Sequence, residues 1–368
     1  MILKGVSGQG ALDYLLLVGG AVLVTTVVMI IILQGTIPQG ETILNSALNQ
    51  YSGVSDDSLG GGGGGGNGGS NPCPDGGNLL KSTYTFTTQN DVAYYSDGDA
   101  DHFMDIYTPV EVAGPYPAMI VIHGGDWVIG DEQGTDASSA SERFASFGLK
   151  VFSINFQSDS AASSFPQDIK DVVCAIRKIK STSSYNIENS RIGLFGMDSG
   201  GHLASLAASI PSNDDLLTGF CNPLVDHSVS LVINEAGPGD LRTVGESAFG
   251  GWPVSRFTVW LGCPYSGLGA CPSTWLEASP AEYISTGDPP VVIGQGSDDP
   301  INPKEFSIAY KDKLIAGGVT ASLVLVGSLA DHFTHTTSYI DPTNTAVRCV
   351  AEQKIKEILQ PGAEYEYP

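Results

Sequence analysis

The stretch Ile192-Gly-Leu-Phe-Gly-Met-Asp-Ser-Gly-Gly-His-Leu203 decides the fold, because in it a buried strand turns through glycines directly into a helix. Similar apolar runs alternate with helical segments over residues 79–360. This alternation predicts an α/β domain with a mostly parallel sheet and helices on both faces. The other strands are predicted at residues 119–122, 151–154, 229–233, 291–293 and 323–326, and the helices at residues 168–180, 200–208, 304–316 and 345–359.

Three motifs follow the predicted strands. His123-Gly-Gly-Asp-Trp-Val-Ile-Gly130 comes after the first strand, and Gly196-Met-Asp-Ser-Gly200 comes after the third. Asp299 and His332 come after the last two strands. In this order the motifs resemble those of α/β-hydrolases, specifically secreted esterases and feruloyl-esterase-like proteins, and the resemblance covers nearly all of residues 79–360.

The resemblance implies a catalytic triad in the chain order nucleophile, acid, His. The acid is then Asp299 and the base is His332. The nucleophile position holds Asp198, where an esterase has Ser. The oxyanion hole is assigned to Gly124, Gly125, Asp126 and Ser199, and Asp126 replaces the small residue that the family usually has.

These two departures predict that serine-esterase activity is lost. In subtilisin, removing the nucleophile lowers the rate about 10⁶-fold, and the Asp126 carboxylate would place negative charge where the oxyanion must form. Four other interpretations of the site stay open, and no cofactor is expected. In the first, Ser199 is a displaced nucleophile. In the second, Asp198 attacks alkyl carbons, as in haloalkane dehalogenases and epoxide hydrolases. In the third, Asp126, Asp198, Asp299 and His332 hold Ca²⁺, and in the fourth the pocket is degenerate and kept for its shape.

The N-terminal region is a short leader followed by a long apolar run. No charged residue occurs from Tyr14 to Leu33, which is about the ~20 residues needed to cross a hydrocarbon core. Asp13 stands at the start of this run. A charge within an apolar span costs roughly 2.5 to 3.5 kcal/mol, so Asp13 needs a partner.

This region resembles the archaeal class III signal peptide of type IV-like pilins, where a peptidase cuts before a Gln and leaves an acid at the fifth mature position. Cleavage between Gly8 and Gln9 puts Asp13 there, which implies that Asp13 pairs with the freed amine of Gln9 during assembly. The cut departs from the family, which usually has a basic residue before the Gly where this chain has Ser7. A secretory signal and a plain membrane anchor are the alternatives, although no A-x-A-like cleavage site follows Leu33.

An unbroken glycine run from Gly60 to Gly66 marks the boundary between two regions. Residues around it are almost all Gly, Ser, Asn and Pro, a composition that behaves as a flexible tether. The predicted organisation is a leader at residues 1–8, an assembly helix at 9–57, a linker at 58–77 and an α/β-hydrolase-like domain at 78–368.

Charge and cysteine content fit an exported chain. The net charge of -23 argues against a nucleic-acid partner, because there is no basic surface to neutralise phosphates. An even number of cysteines favours disulfides, and Cys263 and Cys271, which flank a short loop rich in Gly and Pro, are expected to pair. Cys73 is expected to staple the linker to the domain. No C-x-x-C spacing occurs, so no metal site of the zinc type is predicted.

Together these features predict a subunit of an extracellular filament, a type IV-like pilus. The subunit is inserted in the membrane before assembly and packs with copies of itself through the N-terminal helix, while the esterase-like domain serves a structural or binding role. Two rivals remain. One is a membrane-anchored extracellular hydrolase that never polymerises; the other is an adhesin whose old esterase cleft binds glycans, esters or cell-wall aromatic groups.

Overall fold

The computed structural model of the chain describes residues 80, 84–158, 164–217, 221, 225–246, 252–267, 269–326 and 345–360. The chain divides into two units, Met1–Asp57 and Ser58–Pro368, and all described residues belong to the second. The predicted assembly helix with Gln9 and Asp13, the glycine linker and His332 therefore lie outside the described residues. Within the described ranges, no helix combines the length and the apolar character needed to cross a bilayer.

A single sheet organises the described part of the chain. Its eight strands are β1 (Phe86–Ala93), β2 (Phe103–Pro109), β3 (Tyr116–Ile122), β4 (Lys150–Ile154), β5 (Ile187–Met197), β6 (Leu231–Glu235), β7 (Val291–Gly296) and β8 (Ala321–Val326). Their order across the sheet is β1-β2-β4-β3-β5-β6-β7-β8. β2 pairs antiparallel with both β1 and β4, and all other neighbours are parallel.

Helices cover both faces of this sheet. Those among the described residues are α1 (Thr135–Ser146), α2 (Gln167–Ser181), α3 (Ser199–Ser209), α4 (Leu241–Glu246), α5 (Trp252–Leu261), α6 (Pro272–Glu277), α7 (Lys304–Ala316) and α8 (Thr345–Lys354), the last continuing into a π-helical turn at Ile355–Leu359. β3 shows why two layers of helix are needed. Ala118, Ile120 and Ile122 enter the core beneath α2, α3 and α7, whereas Met119 and Val121 enter the core beneath α1 and α8. The predicted α/β architecture is confirmed.

The first two strands and four of the helices were not predicted. β1 has the sequence FTTQNDVA and is exposed through most of its length, and it lies at the edge of the sheet. Its ladder with β2 is interrupted by a bulge between Gln89 and Val92, where Asp91 has a φ of 56°. α4 and α6 have six residues each, too short for a helical period to stand out.

Disulfides connect helices and loops that lie outside the sheet. Cys263 pairs with Cys271 across the loop between α5 and α6, with a Cα separation of 5.9 Å. Cys174 on α2 pairs with Cys221, with a Cα separation of 5.4 Å. Cys349 on α8 is also disulfide-bonded, and its partner lies outside the described residues.

A fully buried carboxylate fixes the start of the domain to two helices. Glu352 on α8 accepts a hydrogen bond from the Leu80 N–H at 2.6 Å and another from Nε of Arg143 on α1 at 3.1 Å. Nε of Arg348, one turn away, lies 3.8 Å from the same carboxylate. Burial raises the pKa of Glu352, even though both arginines act in the opposite direction.

Candidate active site

The candidate site is built around Asp198, which links the end of β5 to the start of α3. Its backbone has φ 52° and ψ −120°, a conformation that costs energy in any residue with a Cβ. Two glycines make the turn possible. A Cβ on Gly196 would collide with the carbonyl oxygen of Gly200, and a Cβ on Gly200 would collide with that of Ile122. This is the strained strand-to-helix elbow that presents a nucleophile in α/β-hydrolases.

The loop after β3 closes over this elbow and directs backbone N–H groups at it. The amide nitrogens of Gly125 and Asp126 lie 3.0 and 2.9 Å from Oδ2 of Asp198. Positive φ angles at Gly125, Asp126 and Trp127 turn successive N–H groups inward, an arrangement that binds anions. The two N–H groups thus donate to the Asp198 carboxylate, a contact of the kind that an oxyanion hole makes with an ester oxyanion.

His123 and Gly124 hold the start of this loop in place. His123 is buried, and its Nε2 lies 2.9 Å from Oδ1 of Asn155 while its Nδ1 lies 2.8 Å from the Gly124 carbonyl oxygen. Burial lowers the pKa of His123. A Cβ on Gly124 would lie 3.0 Å from the Met197 carbonyl oxygen. Because Gly124 has no side chain, the loop can approach the elbow this closely.

Asp126 differs from its sequence-based expectation. Its N–H faces the hole, whereas its carboxylate points to the cleft, where Oδ2 lies 3.6 Å from Nε of Arg256 on α5. The reason is the φ of 56° at Asp126, which separates the direction of the N–H from that of the side chain. The negative charge in the oxyanion hole is therefore that of Asp198.

The loop after β7 fixes the orientation of the Asp299 carboxylate. Asp299 is buried, and its Oδ1 accepts hydrogen bonds from the N–H groups of Ile301 at 2.8 Å and Asn302 at 2.9 Å. Its Oδ2 accepts a third from Nε2 of Gln295 at 3.1 Å. Since His332 lies outside the described residues, its pairing with Asp299 stays a prediction.

The structure bears on two of the alternative interpretations. Ser199 is 0% exposed, and its Oγ has no hydrogen-bond partner among the described residues, so it is a poor candidate for a displaced nucleophile. Asp126, Asp198 and Asp299 do not group their oxygens within ion-binding distance of one another. Within the described ranges, the carboxylates that do so lie elsewhere, on β1, on β2 and after the oxyanion loop.

A small cleft lies over Asp198. Aromatic rings form much of its wall, and Arg256 adds a positive charge. Trp127 anchors this wall by stacking on Trp260, with ring centroids 4.5 Å apart. The cleft thus combines aromatic side chains with one cation. Its lining residues are Asp126, Trp127, Asp198, Pro238, Arg256, Phe257, Ile301, Asn302 and Phe306.

Sequence reasoning missed the contributions of α5 and α7 to this cleft. Arg256, Phe257 and Phe306 belong to no motif, and they reach the site only because α5 and α7 fold back over the carboxyl ends of the strands. Trp127 is the exception, since it follows the glycines of the oxyanion loop directly in the sequence.

Known proteins share this arrangement of elements. The model of the BD-FAE family matches residues 104–314, more than half of the chain, a range that contains the oxyanion loop, the elbow and Asp299. The probable carboxylic ester hydrolase LipM of Mycobacterium tuberculosis is 26% identical over 239 residues, 64% of this chain and 54% of LipM. Esterase LipQ of the same organism is 28% identical over 235 residues, 62% of this chain and 53% of LipQ.

The chain thus spans about half the length of these curated relatives. A solved structure, a truncated form of a carbohydrate esterase from gut microbiota, is similar over a larger share of both chains. It aligns with 77% of this chain and 99% of its own, with 25% identity and a TM-score of 0.64.

Proposed function

Because the chain belongs to the BD-FAE family, we propose that it carries an esterase-like domain that binds an ester or an acylated glycan and does not hydrolyse it. The esterase-like hydrolase fold itself is established by the family match and by the similarity to esterases. The loss of hydrolysis and the binding role are the parts that we propose.

One observation carries the proposal, the contact of the Asp198 carboxylate with the N–H groups of Gly125 and Asp126. A serine hydrolase needs a hydroxyl at the elbow and a vacant hole for the oxyanion. Asp198 supplies no hydroxyl, and its charge fills the hole. Both requirements therefore fail at the same residue, while the surrounding fold is retained.

The cleft supports a binding role for what remains. Trp127 and Phe257 line the cleft with ring edges and faces that are 2% and 4% exposed, and Arg256 offers a charged donor beside them. Aromatic faces pack against apolar groups, and an Arg guanidinium donates several hydrogen bonds in fixed directions. An acylated sugar presents both kinds of group. The similar gut-microbiota structure is described as a carbohydrate esterase, which makes glycans our first choice of ligand.

The proposal is tested by measuring ligand binding and ester hydrolysis on the same samples. Acetylated xylo-oligosaccharides are titrated into the full chain by isothermal calorimetry, and released acetate is measured on the same samples. We expect saturable binding, no acetate release, and about tenfold weaker binding in Arg256→Gln, which loses a charge-assisted contact. Lys178→Gln, on the exposed face of α2, is the matched control and should bind like the native chain. Acetate release by the native chain would contradict the proposal.

The same contact favours a second candidate, hydrolysis by an Asp nucleophile. One carboxylate oxygen would attack an alkyl carbon, forming a C–O bond while the carbon–halogen bond or an epoxide C–O bond breaks and the halide or alkoxide leaves. The other oxygen becomes the carbonyl oxygen of the resulting alkyl ester, and two N–H groups stabilise the oxyanion that forms on it when water attacks the ester. Oδ2 of Asp198 has those two N–H groups. Incubation with an epoxide or a haloalkane followed by mass spectrometry distinguishes the two functions. An ester adduct on Asp198 that is absent in Asp198→Ala would replace the binding proposal by this one.

We propose that the domain is displayed on an extracellular type IV-like pilus. The support is in the sequence, where Asp13 opens an uncharged run from Tyr14 to Leu33 behind a leader of eight residues. Before assembly the helix sits in the membrane, and afterwards it packs against copies of itself. The alternative is a membrane-anchored hydrolase that never polymerises.

Asp13→Ala is expected to stay in the membrane but to give few or no filaments, because the pair between Asp13 and the amine of Gln9 is lost. Electron microscopy of shed material and immunoblots of membranes measure the two quantities. Asp56→Ala, outside the apolar run, is the matched control and should assemble normally. A normal filament yield from Asp13→Ala would overturn the pairing, and the absence of filaments from the native chain would favour the anchored hydrolase.

A further inference from the structure

A second group of acidic side chains lies away from Asp198, at the edge of the sheet. It comprises Asp91 on β1, Asp105 on β2 and Glu132 in the segment that follows the oxyanion loop. One carboxylate oxygen from each lies within 4.8 Å of the others. Asp105 and Glu132 are 2% and 4% exposed, so two of the three carboxylates are withdrawn from water.

The donors in this group do not compensate its charge. Oδ1 of Asp105 accepts from the Asp91 N–H at 3.0 Å, and Oδ1 of Asp91 accepts from Nε2 of Gln133 at 3.2 Å. Oε2 of Glu132 is buried and accepts no hydrogen bond from an N–H or hydroxyl group of the described residues. The side-chain hydrogen bond of Glu132 is with the Asp131 carboxyl group, which adds negative charge and no cation. No Lys, Arg or His of the described ranges forms an ion pair with any of the three carboxylates. A buried, unpaired carboxylate is costly unless it takes up a proton or a cation.

The kind of ligand favours one cation. All ligands of one Ca²⁺ ion lie within about 5 Å of one another, because each is 2.3 to 2.6 Å from the ion, and three carboxylate oxygens within 4.8 Å of one another meet this condition. Ca²⁺ accepts irregular sets of carboxylates, whereas Mg²⁺ requires a near-ideal octahedron and usually keeps several waters. Rotation of the Gln133 amide by 180° would exchange its Nε2 and Oε1 beside Asp91 and turn the oxygen toward the group as a further ligand.

We propose that Asp91, Asp105 and Glu132 form a Ca²⁺ site that ties the β1–β2 edge to the segment after the oxyanion loop. The Glu132 carboxylate belongs to the group, and its buried Oε2 has no N–H or hydroxyl donor among the described residues, which is the observation that points to a ligand there. The bulge in β1 brings Asp91 to the site through its left-handed backbone. The site is structural, and it is independent of whether Asp198 is catalytic.

The test uses the full chain after treatment with EDTA and removal of the chelator. Titration with CaCl₂ in a calorimeter is expected to show one site per chain, with a Kd in the range of about 10⁻⁴ to 10⁻³ M typical of extracellular Ca²⁺ modules. The Tm is expected to rise by a few °C, roughly, at 10 mM Ca²⁺, because an ion that binds only the folded state stabilises it. The same titration with MgCl₂ is expected to show at least tenfold weaker binding.

Glu132→Gln separates the site from general attraction of cations to an acidic protein. It is expected to bind Ca²⁺ at least tenfold more weakly and to lose the Tm increase, while folding without Ca²⁺ at least as well as the native chain, since a buried carboxylate is removed. Glu142→Gln, which removes an exposed carboxylate from α1, is the matched control and should respond to Ca²⁺ like the native chain. The proposal is overturned if the native chain shows no Ca²⁺ response at 10 mM, or if Glu132→Gln responds equally.

Discussion

Asp198→Ser is expected to create a measurable esterase, with kcat/KM for p-nitrophenyl acetate at least about 10³-fold above that of the native chain. The substitution supplies the missing hydroxyl on an elbow whose backbone already has the required φ of 52° and ψ of −120°. It also vacates the N–H groups of Gly125 and Asp126 for the substrate oxyanion. Asp126 need not be changed as well, because its carboxylate faces Arg256 and not the hole.

Two controls assign the gain to the nucleophile. Asp198→Ala vacates the hole without supplying a hydroxyl and should stay at the native background. Asp198→Ser combined with His332→Ala should lose the gained activity, which tests the predicted base. If Asp198→Ser folds, as judged by an unchanged Tm, and shows no turnover, the proposed site is wrong. Native ester turnover that disappears in Ser199→Ala would instead identify Ser199 as the nucleophile.

The largest expected loss of stability comes from Glu352→Ala, at about 3 to 5 kcal/mol. Glu352 is fully buried and is the shared partner of Arg143 and Arg348. Its removal leaves both arginines without their common anion, and Arg348 is only 6% exposed. It also leaves the Leu80 N–H without its acceptor. Unfolding by urea, followed by circular dichroism, measures the change in the free energy of unfolding.

Glu352→Gln should cost less than Glu352→Ala, because the amide oxygen still accepts a hydrogen bond from Leu80 or Arg143. Glu357→Ala removes an exposed carboxylate that pairs with Lys354 at 2.6 Å and should change stability by less than about 1 kcal/mol. Equal stability of Glu352→Ala and the native chain would show that the arginines reach water or another acceptor, and that the carboxylate does not hold the start of the domain.

The interior of the fold could be predicted from sequence because buried parallel strands are apolar throughout. β3, β4, β5, β6, β7 and β8 all appear as such runs, and α7 has the bounds that were predicted for it. β1 could not be found in this way, since its FTTQNDVA sequence has neither an apolar run nor a clean alternation. Its strand conformation comes from pairing with β2, a long-range contact that local pattern does not encode.

Some features of the site could likewise be predicted from the sequence, and others could not. Asp198 could be placed at the elbow because Gly196 and Gly200 flank it at a fixed spacing, and steric exclusion of any Cβ makes that spacing informative. The contact between its carboxylate and two backbone N–H groups could not be predicted, because N–H direction depends on φ angles and not on residue type. The orientation of the Asp126 carboxylate was misjudged for the same reason.

The irregular edge strand β1 affects whether copies of the domain can pair with one another at high concentration. Domains carried side by side on a polymer experience very high effective concentrations, at which a regular exposed strand recruits its counterpart from the next copy and seeds aggregation. β1 is such an edge, but its bulge and the left-handed backbone of Asp91 interrupt the row of donors and acceptors that an incoming strand would need. On the proposed pilus, this interruption would let neighbouring domains pack closely without forming a continuous intermolecular sheet through β1.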